Sequence, residues 1–349
     1  MFTMNRRSTV SVLQSIKQKI GVYMNIVRRN SVLVALRFLP FFSFFVPFLI
    51  LYLLYPHTFE PVWTGTWENR IGYLLFLWLF SLETVIAWDQ IKEHELSIKK
   101  VTLIVATVVP TIYVIVANYF GLNQMIINLS LNHNIKYNWA ILMPMSLEYM
   151  IFAFLFIALV ALMYGRCALK TYAISASFLM VIGVIYIINN IFPFGEFAPF
   201  QVLAIPTAVI AEKVLNLMGY KTILSFEGNI PILLAVNPEN FREYFAAGID
   251  WPCAGVESLM IYTITVLLFL KKSDFSLKLK IFYYSIGAVI TFFINVLRVV
   301  TIYVIAIHGG AWGVFHDYFG PLYSIVWIVL YPLIIIKSQS LLNRLQSGE

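Results

Sequence analysis

The sequence predicts an all-α polytopic membrane protein, with about eight transmembrane helices and a small extracytoplasmic cap that could hold a β-hairpin. Of its 349 residues, 60% are hydrophobic and only 12% are charged, whereas soluble proteins carry about a quarter charged residues. The apolar residues fall into runs of about the 20 residues that a helix needs to cross a bilayer. The abundance of aromatic residues, 29 Phe and 20 Tyr, suits helices that face acyl chains and headgroups.

The basic residues predict the orientation of these helices. The apolar runs cover 38–55, 71–88, 101–120, 139–163, 172–192, 253–270, 281–308 and 318–336. Most of the 24 Lys and Arg residues precede the first run or follow an even-numbered one. Since positively charged loops stay in the cytoplasm, both termini of this multi-pass protein of the cell membrane, including the tail 337–349, are predicted to be cytoplasmic. The net charge of +7 therefore indicates membrane orientation rather than nucleic-acid binding.

The N-terminal segment 1–37 is predicted to lie on the inner leaflet as a basic amphipathic helix. Its apolar residues recur at steps of three and four, at Leu13, Ile16, Ile20, Tyr23 and Val27. Basic residues surround this stripe, as in helices that bind a membrane surface. The basic region is too long for a cleavable signal peptide, and the apolar run that follows is long enough to span. We expect the segment to act as an anchor.

The region 193–252 interrupts the pattern and is predicted to be an extracytoplasmic cap. It follows a five-helix membrane region, 38–192, and begins with an apolar stretch that contains three prolines and several charges. If this stretch crossed the membrane, the basic loop 271–280 would lie outside. We therefore expect a re-entrant or interfacial helix on the outer face.

The second half of the cap is predicted to form a short hairpin. Two β-prone runs in YKTILSFEGNIPILLAV flank the turn residues Glu227-Gly228-Asn229. The cap then leads directly into the three-helix membrane region 253–336, where the candidate reactive residues lie.

Cys253 is the first of these candidates. It lies in GIDWPCAGVES, at the predicted outer end of the sixth span. Pro252 suits the first turn of a helix, so free N–H groups and the helix dipole would lower the pKa of the thiol. Ala254 and Gly255 would leave room for a substrate backbone. The alternative is that Cys253 is a small buried hydrophobic residue.

Arg298 is the second candidate, because an arginine within a span is costly and indicates a function. At about 1.5 Å per residue it lies roughly 26 Å from Ile281, in a hydrocarbon core of about 30 Å. This depth is close to that predicted for Cys253. Asn295 lies on the same helix face as Arg298. The alternative is that Arg298 extends to the outer headgroups.

His316 is the third candidate and lies in GVFHDYFGP, just before the last span. It could deprotonate Cys253 and later protonate a leaving amine. His308 is its competitor, but it ends a helix and could be interfacial. A cysteine, an arginine and a histidine on one leaflet would supply the nucleophile, oxyanion stabiliser and proton carrier of thiol acyl transfer.

Glu257 is a candidate supporting residue, one turn below Cys253 on the same predicted helix face. It could orient His316 or pair with Arg298, and a purely structural ion pair is equally compatible with the sequence. The other acidic residues considered within the spans are Glu83 and Glu148. Either of these could balance the charge of the arginine.

Two further residues are interpreted as incidental. Asp317 is expected to be interfacial, and Cys167, in YGRCALK, is expected to be a cytoplasmic thiol. Cys167 and Cys253 would then lie on opposite sides of the bilayer, unpaired. No cofactor or metal site is predicted, because His94-Glu95 lacks the second histidine of a zincin helix. The sequence also lacks a CxxC pair, a phosphate-binding glycine loop and a serine elbow.

Three short motifs, taken together, resemble the exosortase/archaeosortase family. They are Pro252-Cys253-Ala254-Gly255, Asn295-Val296-Leu297-Arg298 and Phe315-His316-Asp317. Their order, their spacing and the predicted topology agree with the family, most sharply over 250–325. The cap and the form WPCAGVES look most like the thaumarchaeal branch.

This resemblance implies a membrane-embedded cysteine transpeptidase or protease with Cys253 as nucleophile and with Arg298 and His316 as its partners. The implied substrates are surface proteins with a tripartite C-terminal sorting tail, made of a Pro-Glu-Phe-like motif, a transmembrane helix and a basic end. A thioacyl-enzyme would pass the cleaved protein to an amine-bearing membrane lipid. No nucleic-acid partner is implied.

Two other classes of function remain open from the sequence alone. A transporter or channel would also carry charged residues within its spans, but it requires a polar path to the inner face and would tolerate Cys253→Ser. An unrelated intramembrane protease or lipid-modifying enzyme is the other alternative. A CAAX-type protease would show paired glutamates on one span, and the sequence shows none.

Overall fold

A computed structural model describes residues 39–60, 68–87, 100–193, 196–273 and 275–347. Each of the apolar runs predicted from the sequence contains a helix, and a small β-sheet lies between the fifth and sixth of them. The predicted amphipathic segment 1–37 lies outside the described residues.

The main helices of the described ranges are numbered here in chain order. They are α1 Leu39–Leu54, α2 Ile71–Ile86, α3 Lys100–Tyr119, α4 Leu122–Asn132, α5 Met143–Tyr164, α6 Ala173–Ile191, α7 Ala204–Leu217, α8 Val256–Lys272, α9 Leu277–Ile307 and α10 Gly320–Ser347. Short helical turns connect them at Pro56–Phe59, Tyr137–Ala140, Arg166–Lys170, Ala198–Val202 and Trp312–Val314, and a π-helical turn covers Phe315–Phe319.

Fewer helices than predicted are long and apolar enough to cross a membrane. Within the described ranges there are four, at Tyr137–Tyr164, Ala173–Ile191, Ala198–Leu217 and Leu277–Ile307. A fifth is formed if α3 and α4, which are bent by 64°, count as one broken span. The apolar stretches of the remaining helices are shorter than the roughly 20 residues that cross a bilayer without local thinning, and they are Leu39–Leu54, Ile71–Val85, Ser258–Lys271 and Val326–Ser338. The expectation of eight spans is therefore not confirmed. The helix at Ala198–Leu217, placed at the membrane surface from its sequence, meets the length and composition of a span.

An aromatic core holds the first helices together. Phe48 of α1 stacks on Tyr73 of α2 with ring centroids 4.4 Å apart, and its ring meets Phe152 of α5 edge-on at 5.1 Å. Tyr73 also contacts Tyr149 at 4.2 Å. These rings are almost completely buried, and aromatic pairs stabilise a core beyond their area, by about 0.5–1.5 kcal/mol each.

A buried ion pair lies within this core. The Nε and Nη2 atoms of Arg70 donate to the two carboxylate oxygens of Glu148, at 2.8 and 3.2 Å. Tyr73 donates its hydroxyl to the same carboxylate at 2.7 Å, and Thr58 accepts from Nη1 of Arg70 at 3.0 Å. The expectation that Glu148 could balance Arg298 is therefore wrong, because its carboxylate is held by Arg70.

Glu83 is likewise occupied away from Arg298. Its carboxylate accepts from the Ser175 hydroxyl at 2.7 Å and from Lys271 Nζ at 3.3 Å. The same lysine donates to the carbonyl oxygens of Lys170 and Thr171. Glu83 thus ties α2 to the far end of α8, and the expectation that it could balance Arg298 is also wrong.

The predicted hairpin is present and carries a third strand. Strands β1 Lys221–Glu227, β2 Ile230–Val236 and β3 Tyr244–Gly248 form one antiparallel sheet in that order. Glu227 pairs with Ile230 across a two-residue turn. Gly228, the first residue of this turn, has φ +59°, as the first central position of a type II′ hairpin turn requires.

The sheet packs against α7 and α9 through one face. Leu233 and Ala235 of β2 are buried with Ala208 of α7 and Val300 of α9. Tyr303 of α9 donates its hydroxyl to the carbonyls of Leu233 and Ala247, at 2.8 and 3.0 Å. With 31 residues, α9 is about 46 Å long, which exceeds a hydrocarbon core of about 30 Å. Its C-terminal end can therefore support the cap outside the membrane.

The last three helices form a second packed unit. Tyr262 of α8 donates to the Tyr284 carbonyl at 2.8 Å, and Tyr331 of α10 donates to the Tyr283 carbonyl at 2.5 Å. Helix α10 runs without interruption to Ser347. The predicted tail 337–349 is therefore a continuation of this helix as far as the described residues extend.

The buried ion pair yields a stability prediction. Arg70→Met should lower the free energy of unfolding by about 3–5 kcal/mol, because it leaves the Glu148 carboxylate buried without its counter-charge. Thermal and denaturant unfolding in detergent micelles would measure the loss. The double variant Arg70→Met/Glu148→Met should recover much of it. Arg166→Met, at an exposed arginine, is the control. A single Arg70 variant as stable as this control would contradict the prediction.

Candidate active site

Cys253 lies on a turn that precedes α8, and not on the helix itself. The helix begins at Val256, with Gly255 as its N-cap. The Asp250 carbonyl accepts the N–H groups of Cys253 and Ala254, at 2.9 and 3.1 Å. Pro252 is therefore not in the first helical turn, contrary to the expectation, and the thiol lies just before the N-terminus of the helix.

Asp250 holds this turn in place. Its carboxylate accepts the Trp251 N–H at 2.7 Å and a hydrogen bond from the Nε2 atom of Gln201. Gln201 is buried in the helical turn before α7. The Trp251 ring packs on Phe200 of the same turn, with centroids 4.9 Å apart. The turn of Cys253 is thus fixed to the cap.

Gly255 and Asn295 fit together beneath the cysteine. Gly255 has φ +92°, and a Cβ atom there would lie 2.6 Å from Cγ of Asn295. The Asn295 amide donates to the Cys253 carbonyl at 3.1 Å. The small residue therefore makes room for Asn295, and the expectation that Ala254 and Gly255 leave room for a substrate backbone stays a prediction.

His316 and Asp317 approach the thiol from the π-helical turn. The Sγ atom of Cys253 lies 3.8 Å from Nε2 of His316, and Nδ1 of the same ring lies 2.7 Å from Oδ1 of Asp317. Isolated π-turns occur frequently at functional sites. The interpretation of Asp317 as merely interfacial is therefore corrected, because its carboxylate contacts the imidazole.

Arg298 joins this group through the backbone. Its Nη2 atom donates to the His316 carbonyl at 3.1 Å, which links α9 to the π-helical turn. His308, the competing histidine, lies at the end of α9 and contacts Tyr220 at 3.0 Å and Glu243 at 3.4 Å. The structure thus brings His316, and not His308, to the thiol.

Two buried polar atoms beside the thiol are left without a hydrogen-bond partner among the described residues. They are Nε of Arg298, a donor, and Oδ1 of Asn295, an acceptor. Buried polar atoms are paired in most proteins. An unpaired donor and an unpaired acceptor next to Cys253 match the two polar groups of a peptide, C=O and N–H.

The environment raises the pKa of the Cys253 thiol, contrary to the expectation from a helix N-terminus. Burial is the largest cause, the carboxylates of Asp250 and Asp317 act in the same direction, and the charge of Arg298 lowers the pKa. The thiol is therefore protonated at neutral pH. Since the thiolate is the reactive form of cysteine, a nucleophilic role for Cys253 would need a base next to the sulfur.

Comparison with known families finds a match that covers most of the chain. A profile described as transmembrane exosortase matches residues 39–333, which include Cys253, Arg298 and His316. The chain belongs to the transmembrane exosortase family. Members of this family are membrane proteins and are generally cysteine-type processing enzymes that act in protein sorting. No curated protein and no solved structure matches the chain. Membership of the thaumarchaeal branch stays a prediction.

Two further sequence predictions in this exosortase concern Glu257 and Cys167. Glu257 lies in the first turn of α8, and since Cys253 is not helical, the two do not share a helix face. The side chain of Glu257 lies outside the described residues, so its predicted supporting role stays a prediction. Cys167 is an exposed free cysteine in Arg166–Lys170, whose last carbonyl binds Lys271 at the other end of α8. It is remote from Cys253.

The sequence analysis did not predict the contacts that three residues make in this site. Asp317 was considered, but its contact with the His316 ring depends on the π-helical turn. Asp250 carried a usable signal, since an Asp before Trp-Pro is typical of a side chain that bonds its own turn. Gln201 lies 49 residues before Asp250, and no local pattern connects them.

The pKa of Cys253 gives a prediction about Arg298. In a Cys167→Ser background, the rate of alkylation by iodoacetamide should rise with pH and level off above the range of an exposed thiol. Arg298→Gln should move this inflection to still higher pH, because it removes the positive charge that lowers the pKa. Arg298→Lys should move it less.

Intact-mass measurement of labelling between about pH 6 and pH 11, a range that extends well above the ordinary thiol pKa of about 8.5, would record both profiles. An inflection that moves to lower pH in Arg298→Gln would show that Arg298 does not stabilise the thiolate.

Proposed function

We propose that this exosortase-family protein is a membrane-embedded cysteine transpeptidase that cleaves the C-terminal sorting tail of surface proteins and transfers them to a lipid anchor. The observation that carries the proposal is the line of contacts from Cys253 through His316 to Asp317, with Arg298 beside it. This arrangement supplies a nucleophile, a base, a group that orients the base, and a cation for the oxyanion.

The first step is removal of the thiol proton. Burial keeps Cys253 protonated by raising its pKa, and Nε2 of His316 is the nearest base. The carboxylate of Asp317 accepts the Nδ1–H of the ring, which leaves Nε2 free to take the proton. The same carboxylate stabilises the imidazolium that results, so the role of Asp317 parallels that of the acid in a catalytic triad.

The thiolate then attacks the carbonyl carbon of the scissile peptide bond. A C–S bond forms, and the carbonyl oxygen becomes an oxyanion next to the Arg298 guanidinium, whose Nε–H is unpaired. Collapse of this intermediate breaks the C–N bond. The imidazolium of His316 gives its proton to the leaving amine, which departs with the transmembrane helix and basic end of the tail.

The thioester is resolved by a second nucleophile. An amine-bearing lipid headgroup loses a proton to His316 and attacks the acyl carbon, which forms an amide and breaks the C–S bond. The sulfur recovers its proton, so the enzyme returns to its starting state. The position of Cys253 at the end of α8 favours a lipid acceptor, because headgroups lie at this level of a membrane protein.

The decisive test uses a surface protein with a tripartite tail, co-expressed with wild-type enzyme and with Cys253→Ala. We expect wild type to yield a shortened, lipid-bearing C-terminus. The variant should yield only the full-length tail at an unchanged enzyme level, because no other group can form the acyl-enzyme. Cys167→Ala, at the remote cysteine, is the matched control and should process normally. Intact-mass spectrometry of the substrate reads all three outcomes.

Other results of this experiment would revise the proposal. A shortened terminus without lipid would indicate a protease, with anchoring done by another enzyme. Normal processing by Cys253→Ala would exclude thiol catalysis. A transporter would be favoured if wild type left the tail unprocessed and Cys253→Ser retained the full cellular function of the protein. A transporter does not need the sulfur as a nucleophile.

Asp317 provides a separate prediction. Asp317→Asn should lower kcat roughly 10²-fold with little change in KM, because the amide no longer holds the imidazole in its productive state. Asp317→Glu should recover part of the loss. Single-turnover cleavage of a tail peptide in detergent would separate kcat from KM. Equal losses in the Asn and Glu variants, with the unfolding temperature lowered in both, would instead indicate a structural role.

A further inference from the structure

One edge of the cap sheet is open. Ile249 N–H donates to the Pro231 carbonyl at 2.8 Å, and Asn237 N–H donates to the Glu243 carbonyl at 2.9 Å. Since backbone groups alternate along an antiparallel strand, the odd-numbered residues of β3 point theirs toward β2. The even-numbered residues Tyr244, Ala246 and Gly248 therefore point their N–H and C=O groups away from the sheet. All three residues are exposed, and no further strand of the described part of the chain pairs with this edge.

The side chains of β3 do not protect this edge. Proteins usually block a free edge with charged residues, proline or a bulge, and β3 has the sequence YFAAG, without charge or proline. The opposite edge, β1, begins with Lys221 and ends with Glu227. Small residues at Ala246 and Gly248 allow a second backbone to approach closely.

The open edge leads down to the reactive thiol. Glu243, just before β3, contacts His308 at the end of α9 at 3.4 Å. The Ala247 carbonyl is bound by Tyr303, and the Cys253 carbonyl is bound by Asn295. At about 1.5 Å per residue, Asn295 lies roughly 20 Å below His308 along α9. The chain of β3 therefore descends from the outer end of α9 to the level of the thiol.

We propose that the extended segment just before the transmembrane helix of the sorting tail binds as a fourth strand on the open edge of β3, parallel to it. This inference rests on the proposed function. The substrate enters with its folded domain outside the membrane and its C-terminal helix inside, so its chain runs in the same direction as β3. Strand addition supplies affinity through main-chain hydrogen bonds, whatever the side chains of the segment.

The polar atoms left unpaired below β3 fit this path. A peptide that leaves the edge beyond Gly248 arrives at the Cys253 turn. There the unpaired Oδ1 of Asn295 can accept a peptide N–H, and Nε of Arg298 can donate to a peptide carbonyl. The edge and these two atoms would then hold the backbone on both sides of the scissile bond, which positions it for attack.

Disulfide cross-linking tests both the place and the direction of this strand. In a Cys167→Ser/Cys253→Ala background, Tyr244→Cys and Gly248→Cys are each paired with single cysteines placed along the substrate segment. Neighbouring strands lie about 4.8 Å apart, which is within the range of about 4.4–6.8 Å between the Cα atoms of residues joined by a disulfide. Phe226→Cys, on the open edge of β1, is the matched control.

We expect Tyr244→Cys to cross-link positions farther from the scissile bond and Gly248→Cys to cross-link positions nearer to it, with only background cross-linking at Phe226→Cys. The reverse order would overturn the parallel direction. Equal cross-linking at Phe226→Cys, or none at the two β3 positions, would overturn the site. The same edge variants with Cys253 intact are also tested for tail processing, which keeps the two proposals separate. If the tail is processed but no β3 cross-links form, only the proposed strand addition is contradicted.

A kinetic test uses the backbone donor itself. Ala246→Pro removes an N–H that points to the open edge, so it should raise KM for a tail peptide at least 5-fold, the effect of losing about 1 kcal/mol of hydrogen bonding. Phe226→Pro removes the equivalent donor from β1 and should leave KM unchanged. Equal effects of the two prolines, or an unchanged KM in Ala246→Pro with normal unfolding temperature, would contradict strand addition.

Discussion

The hydrogen bond from the Asn295 amide to the Cys253 carbonyl fixes the candidate site to its scaffold. It forms because Gly255 has no side chain and adopts a positive φ, which lets Asn295 approach the turn. One turn farther along α9, Arg298 binds the carbonyl of His316. Helix α9 thus sets the position of the thiol relative to the base, although Cys253 and His316 lie on separate connections between helices. A change in the register of α9 would separate all of them at once.

The burial of the thiol has a chemical consequence. A thiolate formed in advance would be exposed to alkylation and oxidation, whereas a protonated, partly buried thiol such as Cys253 is much less reactive until a base removes its proton. The His316–Asp317 pair lies close enough to do this. The reactivity of the site can therefore depend on the bound substrate, which excludes water and strengthens the electrostatic interactions around the sulfur.

Two buried carboxylates elsewhere in the bundle, Glu148 and Glu83, are neutralised by cations next to them. Arg70 is paired with Glu148, and Lys271 is paired with Glu83, in both cases with further hydrogen bonds. Arg298 forms no ion pair within the described part of the chain, and its Nε atom has no acceptor there. Because Arg298 is incompletely paired and partly buried, its guanidinium can stabilise negative charge that develops in a reaction. Cations that are already paired with a carboxylate cannot do so.

The sequence by itself determined the helical class, the membrane location and the three candidate side chains, because hydrophobic runs, basic loops and an arginine within a span are local patterns. It also indicated the β1–β2 hairpin, whose turn requires glycine. Only the tertiary structure decided that the thiol lies on a turn held by Asp250, that His316 and not His308 reaches it, and that Glu83 and Glu148 serve other cations. The strand β3 and its open edge also came from the fold. These features depend on contacts between residues far apart in the chain, and neither hydropathy nor spacing records them.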